Sequence, residues 1–175
     1  MLIIRRYGMK SFDKLPKQFQ CEEVKYYYDI LSKKTGSLVL KRITDLIFAV
    51  MLLVVLIIPI IIIAVAVKAT SKGPVFYRQV RVTTYGKNFK ILKFRTMVEN
   101  ADKIGSLVTT DSDSRVTKVG RFLRKYRLDE LPQIFNVLSG SMSVVGTRPE
   151  VPKYVEQYKP EYLATLLIPA GITSL

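Results

Sequence analysis

Residues 46–67, LIFAVMLLVVLIIPIIIIAVAV, run for 22 positions without a charged side chain, and Pro59 is their only helix breaker. As a helix at about 1.5 Å per residue the run reaches roughly 33 Å, the thickness of a bilayer's hydrocarbon core. Seventeen of the 22 residues are Leu, Ile, Val or Phe. At roughly 0.3–0.6 kcal/mol each they favour insertion by about 5–10 kcal/mol, and a proline penalty of roughly 3 kcal/mol does not cancel that. The run therefore reads as a membrane segment rather than the core helix of a soluble protein. Some 45 largely polar residues precede it and no small-residue cleavage site follows, so it is not a signal peptide.

Both flanks are basic: Lys33, Lys34, Lys41 and Arg42 lie before the run, and Lys68, Lys72, Arg78 and Arg81 after it. Lys41 and Arg42 are placed to meet lipid phosphates. The positive-inside rule is met when both ends lie in the cytoplasm, which a re-entrant helix broken at Pro59 achieves. A kinked single span with weak charge bias fits the composition equally well.

Outward from this segment the chain divides into a polar extension (1–37), the membrane segment with its lead-in (38–70) and a remainder (71–175). The extension holds Tyr26, Tyr27 and Tyr28, read as interfacial or packing aromatics. After Gly73-Pro74, residues 75–82 and 89–95 are rich in β-branched and aromatic side chains around a turn at 84–87, which predicts a β-hairpin. Residues 90–110 show no strong period, and a short helix followed by a loop with a break at Gly105-Ser106 is expected. From Arg115 onward, Val116, Val119, Leu123 and Tyr126 recur at steps of three and four among basic residues, predicting an amphipathic interfacial helix. Residues 128–140 predict another helix, with Pro132 in its first turn and Gly140 as its stop. The expected fold class is mainly α with a small β-hairpin (α+β).

The formal charge is +14, from 28 Lys and Arg against 14 Asp and Glu. Residues 68–128 alone carry 15 basic and 4 acidic side chains, a face that seeks anions. With no His, neither a His-based triad nor an imidazole metal site is available, and the single Cys21 forms no intramolecular disulfide or thiolate zinc site. Any chemistry must come from carboxylates, Lys, Tyr, Ser or Thr.

The acidic pair Asp129-Glu130 is the leading candidate. An acid at a helix start ordinarily caps free amides. Here Arg121, Arg124, Lys125 and Arg127 precede it closely and should keep a carboxylate ionised. Such a carboxylate can attack a phosphorus centre whose charge the cations neutralise, while its neighbour holds a hard cation such as Mg²⁺ through oxygen. A second candidate is the loop around Gly146-Thr147-Arg148-Pro149, where Arg148 can grip phosphate bidentately and Pro149 stiffens the backbone.

These residues, taken in order, resemble the bacterial sugar transferases, the small membrane-bound polyprenyl-phosphate phosphoglycosyl transferases. The match covers KRITD at 41–45, GPVF at 73–76, KILKFRTM at 90–97, LDELPQ at 128–133, FNVL at 135–138 and MSVVGTRP at 142–149. The resemblance implies a re-entrant helix broken at Pro59 and a catalytic face at the cytoplasmic side of the bacterial inner membrane. It implies that Asp129 attacks a UDP-sugar, that UMP leaves, and that polyprenyl phosphate then takes the phosphosugar, the first step of capsule, exopolysaccharide, O-antigen or glycoprotein glycan assembly. Glu130 would bind Mg²⁺, and Arg124, Arg148, Lys93, Arg95 and Pro149 would form the substrate and phosphate contacts. Inner-membrane lipids are expected partners, a homodimer is allowed, and nucleic acid is not a partner. Thr147 replaces the first proline of the family's Pro-Arg-Pro loop. The family also continues beyond the motif at 169–173, so a chain ending at Leu175 reads as a fragment or a truncated, inactive transferase. A basic membrane-tethered adaptor explains the anchor and the charge, but not the acidic pair.

Overall fold

The structure is a computed structural model and describes residues 9–101 and 113–174. It is mostly helical with a small hairpin, in the order α1 (Glu22–Ser32), α2 (Thr35–Thr70), β1 (Phe76–Thr83), β2 (Lys87–Phe94), α3 (Lys118–Lys125), α4 (Gln133–Ser139), β3 (Ser143–Val145), α5 (Pro152–Val155), α6 (Pro160–Leu163) and β4 (Gly171–Thr173). The chain divides into two compact units. The first comprises the residues up to Met51, Val80–Lys90 and those from Asn136; the second comprises Leu52–Gln79 and Ile91–Phe135.

The core of the first unit draws part of its side chains from the polar extension. Leu15, Phe19 and Val24 pack with Val82, Leu163, Leu166 and Leu167. Phe19 is fully buried, and such a side chain contributes about 1.5–3 kcal/mol. Glu22 and Glu23 in the first turn of α1 complement its dipole. The tyrosine cluster splits: Tyr28 packs edge-on to Phe12 at 5.2 Å and donates to the Lys10 carbonyl, whereas Tyr26 and Tyr27 are exposed. β3 and β4 pair in parallel, with Ser143 opposite Gly171 and Val145 opposite Thr173.

The start of α2 is tied into this unit by polar contacts. Asp45 accepts from Ser143 Oγ at 2.6 Å, from the Val144 amide at 3.1 Å and from Lys41 Nζ at 3.2 Å; Lys41 also donates to Ser143 Oγ. Arg42, expected to meet lipid phosphates, is buried instead, with Nη2 donating to the Leu138 carbonyl.

In the second unit the later part of α2 supplies Ile60 and Val67 to a core with Phe94 and Leu123, lined by Val75, Phe76, Leu128 and Leu131. Phe76 and Phe94 stack at 5.4 Å. α2 is long and apolar enough to cross a membrane and is helical through Pro59. Most of its apolar side chains face outward, with Val54 72% and Val55 71% exposed. A surface this apolar marks contact with lipid or another apolar partner.

The hairpin forms as predicted within a residue or two. The basic helix begins at Lys118, not Arg115, because Val116 pairs with Met97 and Asp113 clamps the Arg115 guanidinium at 2.6–3.2 Å. Arg115 in return holds the Asp113 carboxyl down at about 2. The expected Gly105-Ser106 break lies outside the described residues.

Candidate active site

The acidic pair does not begin an α-helix. α3 ends at Lys125, Arg127 takes the left-handed conformation (φ 57°, ψ 19°), and Leu128–Glu130 form a 3₁₀ turn. A chain of i→i−3 bonds from Glu130 to Phe135 leads past Pro132 into α4. Pro132 supplies no N–H, which suits the position before that helix.

The turn drives Asp129 inward, leaving it 8% exposed. Burial pushes its carboxyl above the ordinary carboxylate range; Glu130 adds to the rise, while Lys93 and Arg124 oppose it. The cations around the pair were expected to keep a carboxylate ionised, and Lys93 and Arg124 do pull in that direction. Desolvation outweighs them, because the side chain is buried. Glu130 accepts from Lys93 Nζ at 2.7 Å, and both side chains are largely shielded. Lys93 reaches the pair from β2, and Arg124 from the last turn of α3.

Arg124 is held along one edge. Its Nε donates to Thr96 Oγ1 at 2.8 Å, and among the described residues Nη1 and Nη2 make no hydrogen bond. Arg95 is directed elsewhere: its Nη2 donates to the carbonyl and hydroxyl of Ser71, just past the end of α2, where a cation complements the helix dipole. Arg148 and Pro149 belong to the first unit, with Arg148 exposed and Pro149 buried. The Pro149 carbonyl accepts from Arg81 at 3.0 Å. Thr147, where a proline was expected, is tied by its hydroxyl to the Thr165 carbonyl and by its own carbonyl to the Gly171 amide.

Among the described residues no group of three or more Asp, Glu, Cys or His side chains gathers to hold a metal. Asp129 and Glu130 offer two adjacent oxygen donors. Mg²⁺ is commonly held by one or two carboxylates together with substrate phosphates and water, so the pair fits that cation when a phosphorylated substrate completes the shell. The first unit contains a separate cavity of about 530 Å³ lined by Lys10, Lys41, Arg42 and Lys87 among others, and neither member of the pair belongs to it.

Sequence reading missed Thr96 and Asp45. A hydroxyl between Arg95 and Met97 has no spacing that marks it. Asp45 did carry a signal, since an acid directly before an apolar run must find partners.

Comparison with known proteins places the chain in a family. The family model described as Bacterial sugar transferase matches residues 36–175. A UDP-glucose:undecaprenyl-phosphate glucose-1-phosphate transferase of Klebsiella pneumoniae is 48% identical over 79% of the chain and 30% of its own length. A UDP-N-acetylgalactosamine-undecaprenyl-phosphate N-acetylgalactosaminephosphotransferase of Aeromonas hydrophila is 44% identical over 63% of the chain and 27% of its own length. The chain thus spans under a third of the length of either relative. The family match takes in the buried acidic pair, Lys93 and Arg124 together, and the chain belongs to the bacterial sugar transferase family.

Proposed function

We propose that the chain transfers a sugar-1-phosphate from a UDP-sugar to undecaprenyl phosphate at the cytoplasmic face of the bacterial inner membrane, releasing UMP. The observation that carries this is the Asp129 carboxylate, buried beside a Lys93–Glu130 ion pair and the open guanidinium of Arg124, in a family whose named members act on those two substrates.

In the first step an Asp129 oxygen forms a bond to the β-phosphorus. The bond from that phosphorus to the bridging oxygen breaks, and UMP leaves with the electron pair. In the second step a phosphate oxygen of the acceptor attacks the same phosphorus, and the Asp129 carboxylate is regenerated. Desolvation raises the free energy of the ionised carboxylate and so sharpens it as a nucleophile. Arg124 offers its two terminal nitrogens to diphosphate oxygens, and Lys93 fixes Glu130 while countering the charge of Asp129. Mg²⁺, held by Glu130 with Asp129, would supply further neutralisation of the diphosphate. Arg148, with Pro149 stiffening its loop, is assigned to nucleotide or phosphate contact. α2, which is helical through Pro59, would have to bend at that proline to enter and leave the bilayer by the same face, an arrangement that suits the cations on both of its flanks.

Membranes carrying the chain, given a radiolabelled UDP-glucose or UDP-N-acetylgalactosamine and undecaprenyl phosphate, should form labelled lipid and UMP, and Asp129→Asn should abolish both. UMP release undiminished by Asn at 129 would refute the nucleophile. Cysteines introduced for Leu40 and Thr70 should both resist an impermeant external thiol reagent; labelling of only one would mean that α2 spans.

A further inference from the structure

Thr96 is a small buried residue between β2 and the segment leading to α3, yet several independent contacts converge on it. Its carbonyl accepts from the Thr117 amide at 3.0 Å and from the Thr117 hydroxyl at 3.3 Å. Thr117 is the N-cap of α3, its Oγ1 accepting from the Gly120 amide at 2.9 Å. One turn on, Gly120 lies directly on the same carbonyl: a Cβ there would sit 2.6 Å from the Thr96 carbonyl carbon and 2.7 Å from its Cα. The next turn brings Arg124, whose Nε donates to Thr96 Oγ1 at 2.8 Å. Residues 117, 120 and 124 follow the i, i+3, i+7 stripe of one helix face, and all three meet Thr96.

The chemistry of this contact is directional. A guanidinium can meet a phosphate along its Nε–Nη edge or end-on through its two Nη groups. Thr96 occupies Nε, and among the described residues both Nη groups are unbonded. The edge approach is closed and the end-on fork remains. We propose that Thr96 is a positioning residue for the transferase reaction: its hydroxyl orients Arg124 so that the donor diphosphate is gripped end-on, and the missing side chain of Gly120 is what lets α3 approach closely enough for that bond. The inference rests on the phosphotransferase reading and extends it to a residue that acts through Arg124.

Steady-state UMP release by the full chain in membranes tests this. Thr96→Val removes the hydroxyl at nearly constant volume and should raise KM for the UDP-sugar about tenfold with kcat changed less than threefold. Thr96→Ser restores the hydroxyl and should return KM to within threefold of the parent. Gly120→Ala should raise KM by lifting α3. In an Arg124→Lys background, which lacks the Nε donor, Thr96→Val should change KM no further. KM unmoved by Thr96→Val, loss of kcat alone, or an undiminished effect in the Arg124→Lys background would overturn the proposal. If Thr96→Val does not melt cooperatively, the comparison of Thr96→Ser with Gly120→Ala decides: KM must rise in the second and not in the first. Failure of the underlying reading is separate, since turnover would then survive Asp129→Asn.

Discussion

Lys93 bonds to Glu130 at 2.7 Å while its charge also acts on Asp129, so one amine serves two neighbouring carboxyls in different ways. Glu130 is gripped, whereas Asp129 is only biased. This division leaves Asp129 buried and costly to ionise.

Asp129→Asn should stabilise the folded protein near neutral pH while removing transfer. The folded carboxyl binds its proton more tightly than the unfolded one, so stability falls as pH rises from the unfolded value of about 3.9 through the folded value. The cost is fully present once the pH is above the folded value, and Asn relieves it. Each 1 kcal/mol recovered raises Tm by about 2–4 °C. Thermal melts of both proteins at neutral and acidic pH check this, and the gap should close in acid.

Lys93→Met should move the acid limb of the kcat/KM profile upward, because the principal force lowering the Asp129 pKa is lost. Combined with Glu130→Gln, the stability losses should be less than additive by about 1 kcal/mol, as for partners in contact. A pH–rate series and a double-mutant cycle measure the two effects. An acid limb that does not move would count against the electrostatic role of Lys93.

Asp45→Ala should cost about 3 kcal/mol, since it strips the shared acceptor from Ser143, the Val144 amide and Lys41 inside a buried cluster. Ser143→Ala should cost less, about 1 kcal/mol, because the amide and Lys41 still pair with Asp45. Denaturant titration in detergent compares them.

Gly171→Ala should destabilise by about 1–3 kcal/mol. A Cβ there would lie 2.6 Å from the Thr173 carbonyl oxygen and 2.7 Å from Gly146 Cα, and both are backbone that cannot swing aside. The reduced denaturation midpoint should appear without loss of helix by circular dichroism.

Much of the fold could be read from chemistry that repeats along the chain. The unbroken apolar run marked α2, and alternating β-branched and aromatic residues marked the hairpin. Features made by single distant residues were not legible. The first unit's core takes Phe19 and Val24 from the extension and Leu166 and Leu167 from near the other end of the chain, and no local period links them. The β3–β4 pair joins two three-residue strands separated by 25 intervening residues. At the site, the acidic pair stood out by its basic surroundings, but its burial did not, because the 3₁₀ turn that buries it depends on one left-handed residue. Gly120, a glycine inside an amphipathic helix and so a sign of close backbone packing, was not singled out in the sequence.

That left-handed residue is Arg127, which adopts a backbone shape that glycine takes up freely and that costs an L-residue about 1–2 kcal/mol. At this corner, handedness and charge are carried by the same residue. Arg127→Gly separates them: it keeps the sense of the turn and removes an exposed positive charge two residues before Asp129. Position 127 is therefore where a surface charge can be removed while the path of the chain is preserved.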